Sequence, residues 1–149
     1  MPSGERKPFR EWAPEVAAPF VLEREGCELT AYKCPAGVWT IGAGHTEGVH
    51  EGDTITRDEA LALLAADLQD FAQKIARGVK APCTRGQFVA MLSLAYNIGV
   101  SAFLRSSVLR LHNAGAPTQA AESFLLWKFA GGKPILLPRR KAERKEYLK

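Results

Sequence analysis

The sequence predicts an α+β fold: a small β-hairpin subdomain toward the N-terminal side, then a mainly helical lobe, with a cleft between them. Three observations carry that reading. Residues 27–46 gather β-formers (Tyr32, Val38, Trp39, Thr40, Ile41) around the turn signal Pro35-Ala36-Gly37. From Thr56 onward, apolar residues recur at spacings of three and four. The chain has 149 residues, 46% hydrophobic and 24% charged, enough for one core and ordinary in composition.

Each element has its own reason. Residues 1–13 are polar and proline-punctuated and read as a loose leader ahead of a single domain over 14–149. Glu15 to Glu23 reads as a short helix with Val16, Phe20 and Val21 on one face, ended by Gly26, so Glu25 sits at or just beyond a helix C-terminus. The β part, a hairpin or three-stranded sheet, covers about 27–55, and the helical lobe about 56–149. Thr56 and Glu59 have the form of a capping box, and Leu61, Leu64, Leu68, Phe71 and Ile75 follow as one face to about Arg77. Gly78 and Pro82 stop that helix. Thr84 and Gln87 repeat the box, with Phe88, Met91, Leu92 and Ala95 behind it and an end near Asn97-Ile98-Gly99. Shorter helices are expected at Ser101–Arg105, Ser107–Asn113 and about Thr118–Phe129, and a last one from near Pro138.

The bulk numbers exclude several classes. No apolar run approaches the roughly 20 residues of a membrane span, so no stable membrane insertion is expected. Val16 to Leu22 is too short for the apolar core of a signal peptide, so neither a secretion signal nor a lipid anchor is read. Three cysteines are too few for a disulfide framework. The histidines (His45, His50, His112) and cysteines show no metal-ligand spacing, and no cofactor is implied. The net charge of +4 is uneven: Lys133 to Lys149 carries seven basic and two acidic residues. Such a tail invites a nucleic-acid reading, but interleaved aromatics and any recognised binding motif are missing. A solvated face is the plainer account. A role in steering toward an anionic wall is the functional one.

The chemistry concentrates between Glu25 and Thr46. A carboxylate (Glu25), a second ionisable group (Cys34) and a hydroxyl (Thr40), separated by short glycine turns, are the equipment for acid-assisted hydrolysis with a guided water. The end of a helix disfavours an anion, which suits Glu25 to an acid's role. Against this stand plain readings: Glu25 as solvated surface, Cys34 as a small buried residue, Thr40 as a strand threonine. Strand alternation puts Val38 and Thr40 opposite Trp39 and Ile41, with one face packed. Gly42 and Gly44 either turn the chain or let backbone approach a ligand. His45 reads as structural, Cys83 likewise, and Trp127 as core. Cys27 lies seven residues before Cys34, which makes a Cys27–Cys34 disulfide across the hairpin mouth a candidate redox lock.

The run Glu25-Gly26, Tyr32, Cys34, Trp39-Thr40-Ile41-Gly42-Ala43-Gly44-His45 resembles the phage-type lysozymes, the endolysins of glycoside hydrolase family 24. Their signature is Glu, eight residues, Asp or Cys, five residues, Thr, and it falls here on Glu25, Cys34 and Thr40. Further landmarks are Leu94-Ala95-Tyr96-Asn97-Ile98-Gly99, Trp127 with Gly131-Gly132, and Arg139-Arg140 with Glu143-Arg144. The resemblance implies a lysozyme-like fold and a muramidase cutting the β-1,4 bond between N-acetylmuramic acid and N-acetylglucosamine. Glu25 would be the general acid, while Cys34 and Thr40 position or activate water. Gly44, Trp127 and Arg140 are the substrate-contact candidates. It further implies a monomer acting on peptidoglycan glycan strands, made in the host cytoplasm and dependent on a holin-like pore. Competing readings are a non-catalytic peptidoglycan-binding module and a lytic transglycosylase.

Overall fold

The computed structural model describes residues 4–149. They fall into two compact units, Pro14–Asp70 and residues 4–13 with Phe71–Lys149. Among the described residues, no helix is long and apolar enough to cross a membrane.

In the first unit, a 3-10 turn (Pro14–Ala17) runs into α1 (Ala18–Glu25), whose buried face is Ala18, Val21 and Leu22. Gly26 caps it with φ 86°, donating its N–H to the Leu22 carbonyl at 2.9 Å; a Cβ there would meet the strain of the left-handed region. Strands β1 (Glu28–Lys33) and β2 (Trp39–Gly42) pair antiparallel, Tyr32 with Thr40 and Lys33 with Trp39, with an irregularity before Glu28 pairs with Gly42. The other edge of β1 is covered by residues 53–55: Ala31 N–H donates to Asp53 O and Ile55 N–H to Leu29 O, both at 2.9 Å. The expected alternation fails on β2. Thr40 is 3% exposed and Ile41 2%, so both faces of this strand are covered, while β1 is largely open to solvent.

Helix α2 (Arg57–Ala76) starts with the expected capping box: Thr56 N–H donates to Glu59 Oε1 at 2.8 Å, and Glu59 N–H to Thr56 Oγ1 at 3.1 Å. Its buried stripe is Ala60, Leu64, Leu68, Ala72 and Ile75; Leu61 and Phe71, expected in it, are half-buried at its margin.

The second unit is built on α3 (Arg85–Ile98), capped by the Thr84–Gln87 box and buried from Gly86 to Ala95. A helix that is apolar all round must be surrounded. Helix α7 (Leu137–Tyr147) packs along it. Gly86 permits this approach, because a Cβ there would collide with the Glu146 carbonyl. Between them lie α4 (Val100–Leu104), α5 (Ser107–Asn113) and α6 (Pro117–Ser123), the last running into a 3-10 turn, Phe124–Trp127. The expected helix over Thr118–Phe129 is therefore shorter and changes pitch.

The loose leader is corrected. Residues 1–3 lie outside the described residues, but residues 7–12 are tied down. Lys7 and Cys83 exchange two backbone bonds (3.0 and 3.1 Å), Phe9 is buried with its ring 4.7 Å from that of Phe88, and the Trp12 indole donates to Cys83 O at 3.1 Å. Two aromatics supply the burial that the prolines and charges of this stretch conceal.

Candidate active site

Glu25 is the last residue of α1 and is half-buried. Its neighbour Arg24 is occupied elsewhere, pairing with Glu23 at 2.9 Å and lying 4.8 Å over the Phe20 ring. Glu25 thus emerges from a helix end fixed by the Gly26 cap, three residues before β1 begins.

Cys34 follows β1 directly, and the hairpin turn wraps around its sulfur. Gly37 N–H donates to Cys34 O at 2.8 Å, Cys34 N–H to Val38 O at 3.0 Å, and Gly37 has φ 80°. This is a three-residue loop closed by a left-handed glycine. It aims amides at the thiol. The Val38 amide, then the Ala36 amide, lower the Cys34 pKa below its ordinary value; the Thr40 side chain and the Gly37 amide add to this, and partial burial opposes it. Donors to a sulfur stabilise its anion, so the turn favours thiolate. The buried Thr40 hydroxyl donates its one proton to Val38 O at 2.9 Å, bracing the turn beside the sulfur. The structure therefore brings Cys34 and Thr40 together.

The Cys27–Cys34 bridge is corrected. Both cysteines are free thiols, at opposite ends of the six-residue β1. An extended chain rises about 3.3 Å per residue, so the seven steps between them span roughly 20 Å, against the ~7 Å limit on Cα separation in a disulfide. The turn lies after Cys34, where the expected bridge needed it before.

Of the substrate-contact candidates, Gly44 is exposed at φ 94° in the turn where Ile41 and His45 exchange two backbone bonds at 2.9 Å. Trp127 is half-buried, not core. Arg140 is corrected: it is 0% exposed, donates to Asn97 Oδ1 at 2.5 Å and pairs with Glu143 at 3.3 Å. It belongs to a buried cluster in which Arg139 pairs with Glu143 at 3.1 Å and Ser93 donates to Glu143 at 2.5 Å. Burial pushes the Glu143 carboxyl up, and Arg140, Arg139 and Ser93 pull it back. An arginine so enclosed holds α7 to α3 and offers nothing to a sugar.

Two features escaped the sequence. The amides of Ala36, Gly37 and Val38 carry no side-chain signature; only the Pro-Ala-Gly turn hinted at them. His45 is held at both nitrogens, Nε2 by the Glu47 carbonyl and Nδ1 by Asp67, each at 2.9 Å, so it pins the loop after β2 to α2. Its structural role was legible, but its partner, 22 residues away, was not.

Comparison with known proteins places the chain in a family. The phage lysozyme family profile covers residues 22–143. An endolysin of Salmonella phage P22 is 45% identical over 130 residues, covering 83% of this chain and 89% of the relative. A crystal structure of a P22 lysozyme point mutant superposes with a TM-score of 0.84 at 43% identity, covering 90% of this chain and 96% of that one. The muramidase domain of SpmX from Asticaccaulis excentricus does so with 0.83 at 35%, covering 90% and 95%. A profile spanning most of the chain and relatives of this identity and coverage leave one assignment: the chain belongs to the phage lysozyme family.

Proposed function

We propose that this protein is a muramidase that hydrolyses the β-1,4 bond between N-acetylmuramic acid and N-acetylglucosamine in peptidoglycan, with Cys34 acting as a thiolate. Glu25 protonates the glycosidic oxygen as the bond breaks. Water adds to the anomeric carbon, its proton passes to the Cys34 sulfur, and Thr40 orients it. One proton leaves Glu25 and one arrives at Cys34, so solvent exchange resets the pair. The observation that supports this is the tight turn closed by Gly37 directly after Cys34, whose Val38 and Ala36 amides lower the thiol's pKa. Those donors make a thiol serve where a carboxylate would. Gly44 and Trp127 are the contacts for the glycan strand.

Purified peptidoglycan tests the reading. Glu25→Gln should lower turnover by about 10²–10⁴-fold. Cys34→Asp should keep activity and Cys34→Ser should lose it. In the parent, the rate should fall as pH drops and the thiolate is protonated; in Cys34→Asp that fall should move to lower pH, since a carboxyl titrates near 3.9. Binding without turnover in the parent would favour a non-catalytic module, and an anhydro product would make it a transglycosylase. The reading also has the protein made in the host cytoplasm, acting as a monomer, and reaching the wall through a holin-like pore. Lysis in cells that express it without such a pore would overturn that last part.

A further inference from the structure

Eight large apolar side chains are exposed among the described residues, and three of them lie within ten positions: Leu126 (68% exposed), Phe129 (57%) and Ile135 (64%). Phe129 and Ile135 lie on the two arms of a small hairpin, and Leu126 in the 3-10 turn just before it. Ala130 and Lys133 exchange two backbone bonds (2.9 and 3.1 Å) across Gly131 and Gly132, at φ 59° and 78°, and Leu136 N–H donates to Lys128 O at 3.0 Å. Two consecutive left-handed glycines make the tight turn a two-residue hairpin requires. The structure therefore builds a defined turn and leaves the apolar side chains around it in water.

The charge along this stretch of chain has one sign. Between Glu122 and Glu143 the sequence has five basic residues and no acidic one. Arg139 and Arg140 are committed to Glu143, and Glu122 is paired with Arg144 at 3.2 Å. Lys133 is exposed on the hairpin, and the Lys128 ammonium lies 5.4 Å from the Phe129 ring centroid. Exposed apolar side chains rimmed by cations mark an interaction surface. Lysines alone fit the carboxylates of a wall peptide, but Leu126, Phe129 and Ile135 gain nothing from a hydrated glycan. A bilayer surface meets both demands, with phosphates for the lysines and acyl chains for the exposed apolar side chains.

We propose that the 126–135 segment docks this protein on an anionic phospholipid bilayer, with Phe129, Ile135 and Leu126 entering the headgroup–acyl boundary and Lys128 and Lys133 on the phosphates. The contact is peripheral and independent of the hydrolytic reading. The test is co-sedimentation of the full chain with vesicles of phosphatidylcholine alone, or of three parts phosphatidylcholine to one of phosphatidylglycerol. The parent should prefer the anionic vesicles by at least about tenfold, since each lysine near such a surface is worth about fivefold. Raised salt should weaken that preference. The exposed double variant Phe129→Ser/Ile135→Ser should bind about tenfold less, and Lys128→Gln/Lys133→Gln should lose the preference for anionic lipid. Both should keep the parent's circular dichroism and its rate on soluble peptidoglycan fragments. Equal binding of the parent to both vesicles would overturn the proposal, as would undiminished binding by either variant. Self-association of the parent that the serine variant abolishes, or loss of binding to purified sacculi in place of vesicles, would reassign the surface and overturn it too.

Discussion

Cys34 and Cys83 are the same side chain in two regions that treat it in opposite ways. Cys34 sits in a solvent-facing turn whose amides lower its pKa. Cys83 is fully buried beneath the Lys7–Trp12 segment, and burial pushes it up to about 12, against smaller pulls from Trp12 and Arg6. The difference is one of donors, not of polarity in general. The hairpin supplies backbone N–H groups placed for an anion. Around Cys83 the helical unit supplies packing that favours the neutral form. Two other buried groups near it follow suit: burial pushes Tyr147 up and His112 down, and the two share a 2.8 Å hydrogen bond.

The sharpest way to break this comparison is to remove each thiol in turn. Cys34→Ala should cost at least about 10²-fold in turnover and leave the melting temperature close to the parent's. Cys83→Ala should keep the rate per folded molecule and cost about 1–2 kcal/mol of stability, measured by urea unfolding. If both variants lose stability and neither loses rate, the contrast is empty. Next in size is alkylation: iodoacetamide on the native protein at neutral pH should label Cys34 on the order of 100-fold faster than Cys83, read by peptide mass spectrometry. Comparable labelling would mean that the thiol under the N-terminal segment is open to solvent.

Smaller effects come from pH. A thiol raised from its ordinary value near 9 to about 12 is neutral in the folded protein while the unfolded chain ionises. Its stabilisation is complete below pH 9 and is lost as pH rises toward 12; Cys83→Ala should flatten that alkaline loss in thermal melts. His112 works from the other side. Its folded pKa is lowered by burial, so the unfolded chain takes up a proton first, near pH 6.5. Stability should fall as pH drops below that point, and His112→Gln should blunt the fall. Smallest is Trp12→Phe, which keeps an aromatic ring, though a smaller one, but removes the bond to Cys83 O, at about 1 kcal/mol.

What was legible in the sequence was local. The capping boxes at Thr56–Glu59 and Thr84–Gln87 are four-residue devices, and both form as expected. The placement of Glu25 at a helix end follows from Gly26 alone. What failed depended on distance along the chain. Arg140 looks like a surface cation until Asn97 and Glu143 enclose it. The leader looks loose until Phe9 meets Phe88. The Cys27–Cys34 bridge failed on a boundary: with the strand between the two cysteines and the turn beyond them, sequence proximity becomes spatial separation.

The clasp between Lys7 and Cys83 is written in backbone atoms, as is the acceptor for the Trp12 indole. Nothing in those bonds reads the side chain at either position. The letter at the Lys7 end of the seam can therefore change while the attachment persists, whereas Cys83, packed in the core, answers to its neighbours as well.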